Sequence, residues 1–140
     1  SGGRVEIELL PARAPGHIAR IKKLVGEKFY DGIVFHRVIP GFMAQTGDPQ
    51  GNGTGGSPYP DLKAEFTDYV YRRGTVGAAR TRSPDTANSQ FFICFNDKGC
   101  AHLTGQYTVW GQVTVGMDHV DGIKGPQERM AKVYLKSKPR

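Results

Sequence analysis

The residues best suited to chemistry lie in the stretch FHRVIPGFMAQTGD, which runs from Phe35 to Asp48. It predicts a strand, a tight Pro-Gly turn and a second strand. Alternation places Arg37 on one face of the first strand, and it places Met43 and Gln45 together on one face of the second. A guanidinium and an amide among large apolar groups can bind a carbonyl group through charge-assisted hydrogen bonds.

Arg37 allows two interpretations that the pattern alone does not separate. It could be an exposed side chain on an edge strand, without a function. It could instead belong to a binding site, since an unpaired charge inside a plain core would be strongly destabilising. His36 falls on the opposite face of the strand, where packing or a hydrogen bond is its expected role.

Three blocks of the sequence closely resemble the signature of the cyclophilins, the cyclosporin-binding peptidyl-prolyl isomerases, and most closely that of the bacterial members. The first has FHR at 35–37, PGFM at 40–43, Gln45 and then Gly47-Asp48. The second is SQFFI at 89–93, and the third has Leu103, YTVWGQV at 107–113 and GMD at 116–118. The blocks follow the order of the family, and the resemblance covers nearly the whole chain.

The resemblance implies a mainly β fold, a closed antiparallel eight-stranded cyclophilin-like barrel capped by two helices. The alternating segment from Val5 to Leu9 predicts a half-buried strand. Gly2-Gly3 before it is typical of a hairpin turn, yet no strand precedes that turn. We therefore expect residues 1–140 to form a single cyclophilin-like domain that lacks its first strand and is incomplete at its N-terminus.

Residue patterns predict the remaining elements. A helix opens at Ala14-Pro15 and ends near Gly26, with one apolar face formed by Ile18, Ile21, Leu24 and Val25. Further strands are predicted at residues 65–66, 69–71, 90–95, 107–113 and 131–135, and a second helix at residues 115–123. Within 90–95, even-numbered and odd-numbered residues are expected to face opposite sides of the sheet.

The resemblance implies a peptidyl-prolyl cis–trans isomerase that assists folding by accelerating X–Pro bond rotation in peptides and unfolded proteins. Amide resonance sets a barrier of about 18–20 kcal/mol. Reaching a turnover of roughly 1–1000 per second would require roughly 3–7 kcal/mol of stabilisation of the twisted bond. Rotation transfers no proton, so we expect no nucleophile, metal, cofactor or acid–base residue.

In the resemblance, Arg37, Gln45 and Phe42 are the catalytic residues. Rotation localises the lone pair of the proline nitrogen, and a nearby guanidinium would favour that twisted state. Gln45 would orient Arg37 and share the contact with the proline carbonyl. The resemblance also implies eight substrate-binding residues. Met43, Phe92 and Leu103 would form an apolar pocket that Tyr107 closes. Gly53 and Thr54 would lie on a glycine-rich rim, and Arg80 and Thr81 on a flanking loop.

The chain departs from many eukaryotic cyclophilins at three places near the expected groove. It has Arg80-Thr81-Arg82 where they have Ala-Asn-Ala, so acidic peptides could be favoured. Tyr107 stands where many members have His. His102 precedes Leu103 where members that bind cyclosporin tightly have Trp, and we therefore expect cyclosporin to bind weakly.

Two other site types are disfavoured by sequence context. The stretch GNGTGG at 51–56 has the spacing of a nucleotide-binding loop, but SPYP follows at once and no helix can begin there. Cys94, Cys100 and His102 fit no standard zinc spacing and lack a fourth ligand. With only two cysteines, we expect Cys94 to be a buried thiol in a reducing cytosol.

Composition limits the partners of the chain. The net charge of +6 comes mostly from scattered basic residues, which predicts solvated faces and no specific nucleic-acid site. No apolar run reaches membrane-spanning length. We expect a cytoplasmic monomer that acts on proline-containing peptides and unfolded clients, or a periplasmic one if an upstream signal was removed. The alternatives are a module that only binds proline-containing segments and, supported only by charge, nucleic-acid association through the basic surface.

Overall fold

The computed structural model describes residues 3–136. Its strands are β1 (Glu6–Leu9), β2 (Arg37–Ile39), β3 (Met43–Thr46), β4 (Thr75–Ala78), β5 (Phe91–Cys94) and β6 (Val109–Val115). Its helices are α1 (Pro15–Gly26), α2 (Asp97–Cys100) and α3 (Met117–Asp121), with a 3-10 turn at Ala101–Leu103. Within this range no helix is both long and apolar enough to cross a membrane.

The strands form one antiparallel six-stranded sheet in the order β1-β6-β4-β5-β3-β2. The mainly β, antiparallel architecture agrees with the prediction. The closed eight-stranded barrel does not: β1 and β2 end the sheet, and no ladder joins them within residues 3–136. The predicted hairpin turn at Gly2-Gly3 lies partly outside the described residues.

The strands predicted at 65–66, 69–71 and 131–135 were wrong, because backbone groups there bond to distant side chains. Glu65 N donates to Thr108 Oγ1 at 2.9 Å, and Tyr71 N donates to Thr104 Oγ1 at 3.1 Å. In the C-terminal segment the N–H of Val133 is bonded likewise, to Asp31 Oδ1 at 2.8 Å. These segments are satisfied without a ladder. The sheet has six strands because β4 (Thr75–Ala78) forms where no strand was predicted.

Helix α1 forms as its apolar pattern predicts, with Pro15 at its first turn. Its N-cap residue Ala14 has no side chain that can accept a hydrogen bond, so another residue must satisfy the first N–H groups. Glu65 does so from a distant loop: its carboxylate accepts from Gly16 N at 3.1 Å and from His17 N at 2.8 Å. The buried His17 ring also contacts this carboxylate, with Nδ1 2.6 Å from Oε1.

Helix α3 is shorter than predicted, because Val115 continues β6 and Gly116 follows with φ of 87°. Val120 and Ile123 are buried, as expected, whereas Met117 is only half-buried. The left-handed conformation of Gly116 separates the strand from the helix, and a side chain there would be strained.

The sheet separates two apolar clusters, and strand β5 contributes to both. Phe91 and Ile93 pack in the larger cluster, which contains the apolar face of α1. Phe92 and Cys94 pack in the smaller cluster on the other side. This alternation confirms the predicted faces of β5, and it leaves one side of the sheet free of α1.

The prediction of a free thiol at Cys94 was wrong, because Cys94 forms a disulfide with Cys100. Asn96 turns the chain back after β5: its side chain accepts from Gly99 N at 2.7 Å and donates to Gly41 O at 2.8 Å. That turn brings the two cysteine Cα atoms to 6.2 Å, and both residues are fully buried. The disulfide fixes the start of the 3-10 turn against the end of β5.

We expect Glu65→Ala to lower the free energy of unfolding by about 2 kcal/mol, because two helix N–H groups and His17 lose their acceptor. Chemical denaturation measures this. Asp68→Ala is the matched control: Asp68 is also an acidic residue, its side chain is 97% exposed, and its ion pair with Arg13 should contribute less than about 0.5 kcal/mol. Equal effects of the two changes would contradict the capping role of Glu65.

Reducing the disulfide should lower the free energy of unfolding by about 2 kcal/mol, because the short loop between Cys94 and Cys100 is no longer closed in the unfolded chain. Denaturation with and without a reductant measures the difference. A variant with both cysteines changed to Ala should not respond to the reductant. A wild-type protein equally insensitive to reductant would show that the disulfide does not stabilise it.

Candidate active site

A groove of about 440 Å³ lies on the side of the sheet opposite α1. Residues from strands, loops and the 3-10 turn line it: Arg37, Phe42, Met43, Gln45, Ala79, Arg80, Phe92, His102, Leu103, Gln106 and Tyr107. All three predicted catalytic residues are in this set. So are five of the eight predicted substrate-binding residues, namely Met43, Arg80, Phe92, Leu103 and Tyr107.

Strand register brings the polar and apolar parts of the groove into one row. Arg37 on β2 is paired with Gln45 on β3, which is paired with Phe92 on β5. Phe92 is paired in turn with Gly77 on β4. A Cβ atom at Gly77 would collide with the hydroxyl of Tyr71 and lie 2.8 Å from the Phe92 ring. Glycine at this position therefore leaves room for the aromatic floor of the groove.

The floor and one wall of the groove are apolar. Met43, Phe92 and Leu103 are 2%, 4% and 6% exposed, so they offer a dry surface with little freedom to move. Phe42 is half-buried and follows the Pro40-Gly41 turn, in which Gly41 has φ of 76°. The left-handed glycine turns the chain so that Phe42 lies beside the groove.

The position of Arg37 agrees in part with each interpretation of the sequence. It is exposed and belongs to the edge strand β2, yet it lines the groove. Its Nη1 donates to Gln45 Oε1 at 3.4 Å, a long hydrogen bond. In the part of the chain that the structure describes, no carboxylate forms an ion pair with Arg37, so its charge is available to a ligand.

A chain of amides orients Gln45. Gln45 Nε2 donates to Gln90 Oε1 at 2.9 Å, and Gln90 Nε2 donates to the carbonyl oxygens of Gly53 and Gly55 at 3.1 and 2.8 Å. Because the nitrogen of Gln45 is used in this way, its oxygen faces Arg37. Gln90 was not among the predicted site residues, although it precedes the apolar run of β5 in sequence.

The glycine-rich loop is held by Asp48, which is buried. Its carboxylate accepts hydrogen bonds from the backbone of Gln50, Asn52 and Gly53 at 2.6 to 3.1 Å. Burial would raise the pKa of Asp48, but these bonds and one from Gly55 outweigh it and hold the pKa below its ordinary value. A charged carboxylate thus fixes the loop that supports Gln90.

Gly53 and Thr54 do not line the groove itself. Gly53 lies behind Gln90, and Thr54 Oγ1 bonds within its own loop, to Asn52 Oδ1 at 2.6 Å. His36 is also outside the groove, and its two buried ring nitrogens have no hydrogen-bond partner among residues 3–136. Burial lowers the pKa of His36, so the ring is neutral at physiological pH.

The loop after β4 contributes its first residues but not Thr81. Ala79 and Arg80 line the groove, whereas the N–H of Thr81 is bonded to Thr86 Oγ1 at 2.9 Å. Ala79 and Gln106 carried no signal in the sequence, because a small residue and an exposed amide in loops match no motif. His102 lines the groove, and its ring centroid lies 5.8 Å from that of Phe42.

Tyr107 lines a wall of the groove, called the end wall below, and the rings of Phe92 and the buried Tyr71 support it. Tyr71 stacks on Phe92 with centroids 5.8 Å apart, and Tyr107 meets Phe92 edge-on at 5.7 Å. The Tyr71 hydroxyl donates to the backbone oxygen of Tyr107 at 2.9 Å. Burial raises the pKa of Tyr71 well above its ordinary range, so the hydroxyl keeps its proton and remains a donor.

Comparisons with known proteins agree on one family. The model of the "Cyclophilin type peptidyl-prolyl cis-trans isomerase/CLD" family matches residues 1–138. A probable peptidyl-prolyl cis-trans isomerase of Brucella suis is 57% identical over 137 residues, which cover 90% of this chain and 69% of that protein. Peptidyl-prolyl cis-trans isomerase B of Bacillus subtilis is 44% identical over 118 residues, which cover 84% and 80%.

Solved structures of the same family resemble this chain. The crystal structure of a cyclophilin type peptidyl-prolyl cis-trans isomerase from Cryptosporidium parvum superposes with a TM-score of 0.86. The two chains are 26% identical, and the match covers 96% of this chain and 92% of that one. A second structure of the Cryptosporidium protein, in the presence of the dipeptide Ala-Pro, gives a TM-score of 0.85 at 25% identity and covers 96% and 93%.

Proposed function

The chain belongs to the cyclophilin-type peptidyl-prolyl cis-trans isomerases, and on that premise we propose that the groove beside Arg37 is where X–Pro bonds rotate. The observation that carries this proposal is the position of the Arg37 guanidinium, which has no carboxylate partner among residues 3–136, next to a dry apolar floor. Rotation about an amide needs a place to hold one side of the bond and a charge that favours the twisted state. The groove offers both.

The proline ring would bind on the floor formed by Met43, Phe92 and Leu103, with Phe42 beside it. Removing an aliphatic ring of this size from water is worth roughly 2 kcal/mol. Because these side chains are packed, the bound ring cannot follow the rotation. The part of the peptide before the proline would then turn relative to a fixed ring.

Arg37 would stabilise the twisted bond. As the amide leaves planarity, conjugation is lost and the lone pair of the proline nitrogen becomes an acceptor for a guanidinium N–H. A well-placed donor in a dry site contributes about 3–4 kcal/mol. Arg37 is exposed in the free protein, so this value requires that the bound peptide exclude water from it.

Gln45 and Phe42 would complete the catalytic set. The amide chain through Gln90 turns the oxygen of Gln45 toward Arg37, so it limits the orientations of the guanidinium. Phe42 would exclude water from one side of the rotating bond. No step in this scheme moves a proton.

Tyr107 and Arg80 would contact the peptide at the end wall. Gly53 and Thr54 lie beyond Gln90, and Thr81 lies beyond Ala79. These three residues would therefore contact only parts of the peptide that extend outside the groove. Pairing of the substrate backbone with Thr81 N–H would require that its bond to Thr86 open.

The substrates would be proline-containing peptides and unfolded chains, whose rotation the protein would accelerate during folding. The Ala-Pro dipeptide present with the Cryptosporidium protein supports a proline-containing ligand. The chain would act as one domain and as a monomer. The disulfide between Cys94 and Cys100 favours an oxidising compartment, such as a periplasm, over the cytoplasm expected from the sequence.

We expect Arg37→Ala to lower catalysed isomerisation of a short X–Pro peptide by roughly 100- to 1000-fold, because one aimed charged donor is lost. Arg37→Lys should recover only part of the rate, since an ammonium lacks the planar set of N–H donors of a guanidinium. Exchange NMR on the peptide measures both variants, and Arg72→Ala, at an exposed arginine outside the groove, should stay near wild type.

A wild-type protein that binds the peptide without accelerating its rotation would instead identify the chain as a binding module. An Arg37→Ala variant as fast as wild type would remove Arg37 from the mechanism. These two outcomes separate the activity of the protein from the assignment of its main residue.

Cyclosporin should bind weakly, with a Kd of roughly 1 μM or above, because His102 provides neither an indole donor nor a large apolar face. His102→Trp should tighten binding by roughly tenfold, the effect of one aromatic contact and one hydrogen bond. Titration calorimetry measures both values. Nanomolar affinity of the wild-type protein would contradict this expectation.

A further inference from the structure

Arg80 connects two loops at the end wall of the groove. Its Nε and Nη2 both donate to the backbone oxygen of Gln106, at 3.0 and 2.8 Å. Its Nη1 donates to the backbone oxygens of Thr81 at 2.8 Å and of Arg82 at 3.2 Å. The loop after β4 and the segment before β6 are therefore joined through one guanidinium, although Arg80 and Gln106 are 26 residues apart.

The same guanidinium lies over an aromatic ring of the groove. The Arg80 Cζ atom is 4.5 Å from the ring centroid of Tyr107 and 5.8 Å from that of Phe66. Both distances are within the range of cation–π attraction. Since Tyr107 also meets Phe92 edge-on, its ring contacts Arg80 as well as the floor of the groove.

Most hydrogen-bonding capacity of Arg80 is used within the protein. A guanidinium has five N–H donors, and the described contacts occupy the one on Nε, both on Nη1 and one on Nη2. Little remains to bind a carboxylate of a substrate. The acidic-peptide preference expected from the sequence would therefore lack a bidentate partner at this position.

We propose that Arg80 is a positioning residue, which holds Tyr107 against Phe92 and keeps the end wall of the groove formed before a peptide binds. This inference rests on the proposed function of the groove. When the wall is already formed, peptide binding does not have to order the side chains and loops of the wall, so the entropy cost of binding is smaller. Arg80 would thus affect peptide binding more than the rotation step.

The planar shape of the guanidinium makes it possible to distinguish this positioning role from a purely electrostatic one. An ammonium at the same position keeps the charge but cannot reach three backbone oxygens and cover a ring at once. If Arg80 acts as a clamp, that is, by joining the two loops and covering the Tyr107 ring, Arg80→Lys should resemble Arg80→Gln. If it acts through its charge, Arg80→Lys should resemble the wild type.

The test uses both Arg80 variants and Arg82→Gln, which removes an equal charge from an exposed residue of the same loop. Exchange NMR would follow two peptides, with Ala or Glu before the proline. We expect both Arg80 variants to raise KM by roughly 5- to 10-fold for both peptides, with kcat changed less than about twofold. Arg82→Gln should leave both constants unchanged.

A second readout does not depend on activity. The aromatic NMR signals of Tyr107 should shift in both Arg80 variants, because the ring loses its cover, and they should not shift in Arg82→Gln. Wild-type behaviour of Arg80→Lys, a loss confined to the Glu peptide, or unmoved Tyr107 signals would overturn the proposal. If the wild type bound the peptides without accelerating their rotation while the Tyr107 signals shifted in both Arg80 variants, the role of Arg80 would stand and the proposed function of the groove would fail.

Discussion

The antiparallel pairing of β2 with β3 is the constraint on which the groove depends. It sets Arg37 opposite Gln45 and extends through β3 and β5 to the aromatic floor at Phe92. Because side chains alternate along a strand, a shift of one residue would move Arg37 to the face where His36 lies. The charge and the apolar floor meet only in this register, and the Pro40-Gly41 turn between the two strands fixes it.

Hydrogen bonds and a disulfide fix the positions of the groups around the row formed by Arg37, Gln45 and Phe92. The amide chain through Gln90 orients Gln45, and the charged Asp48 holds the loop behind it. The disulfide anchors the turn that carries Leu103, and Arg80 joins the loop after β4 to the segment before β6. For a reaction that makes and breaks no covalent bond, such fixed positions are the main contribution that a protein can make.

The parts of this site that depend on local patterns can be predicted from the sequence, whereas those that depend on distant contacts cannot. Alternation placed Arg37 and Gln45 correctly, and three-and-four spacing placed helix α1. Local patterns predict strands near Glu65 and Val133, because nothing in those segments shows that their N–H groups bond to side chains 43 and 102 residues away in the chain. The disulfide, the amide chain and the Arg80 clamp likewise leave no periodic signal, since each joins residues through the tertiary fold.

The central claim is that the positive charge of Arg37 makes the amide easier to twist. The most direct measurement replaces Arg37 with citrulline, which has nearly the same shape and hydrogen-bonding reach but no charge, and follows X–Pro exchange by NMR at saturating peptide. We expect the catalysed rate to fall at least roughly tenfold, since charge-assisted donors are about twice as strong as neutral ones, with peptide affinity little changed. A citrulline protein that turns over at the wild-type rate would contradict the claim.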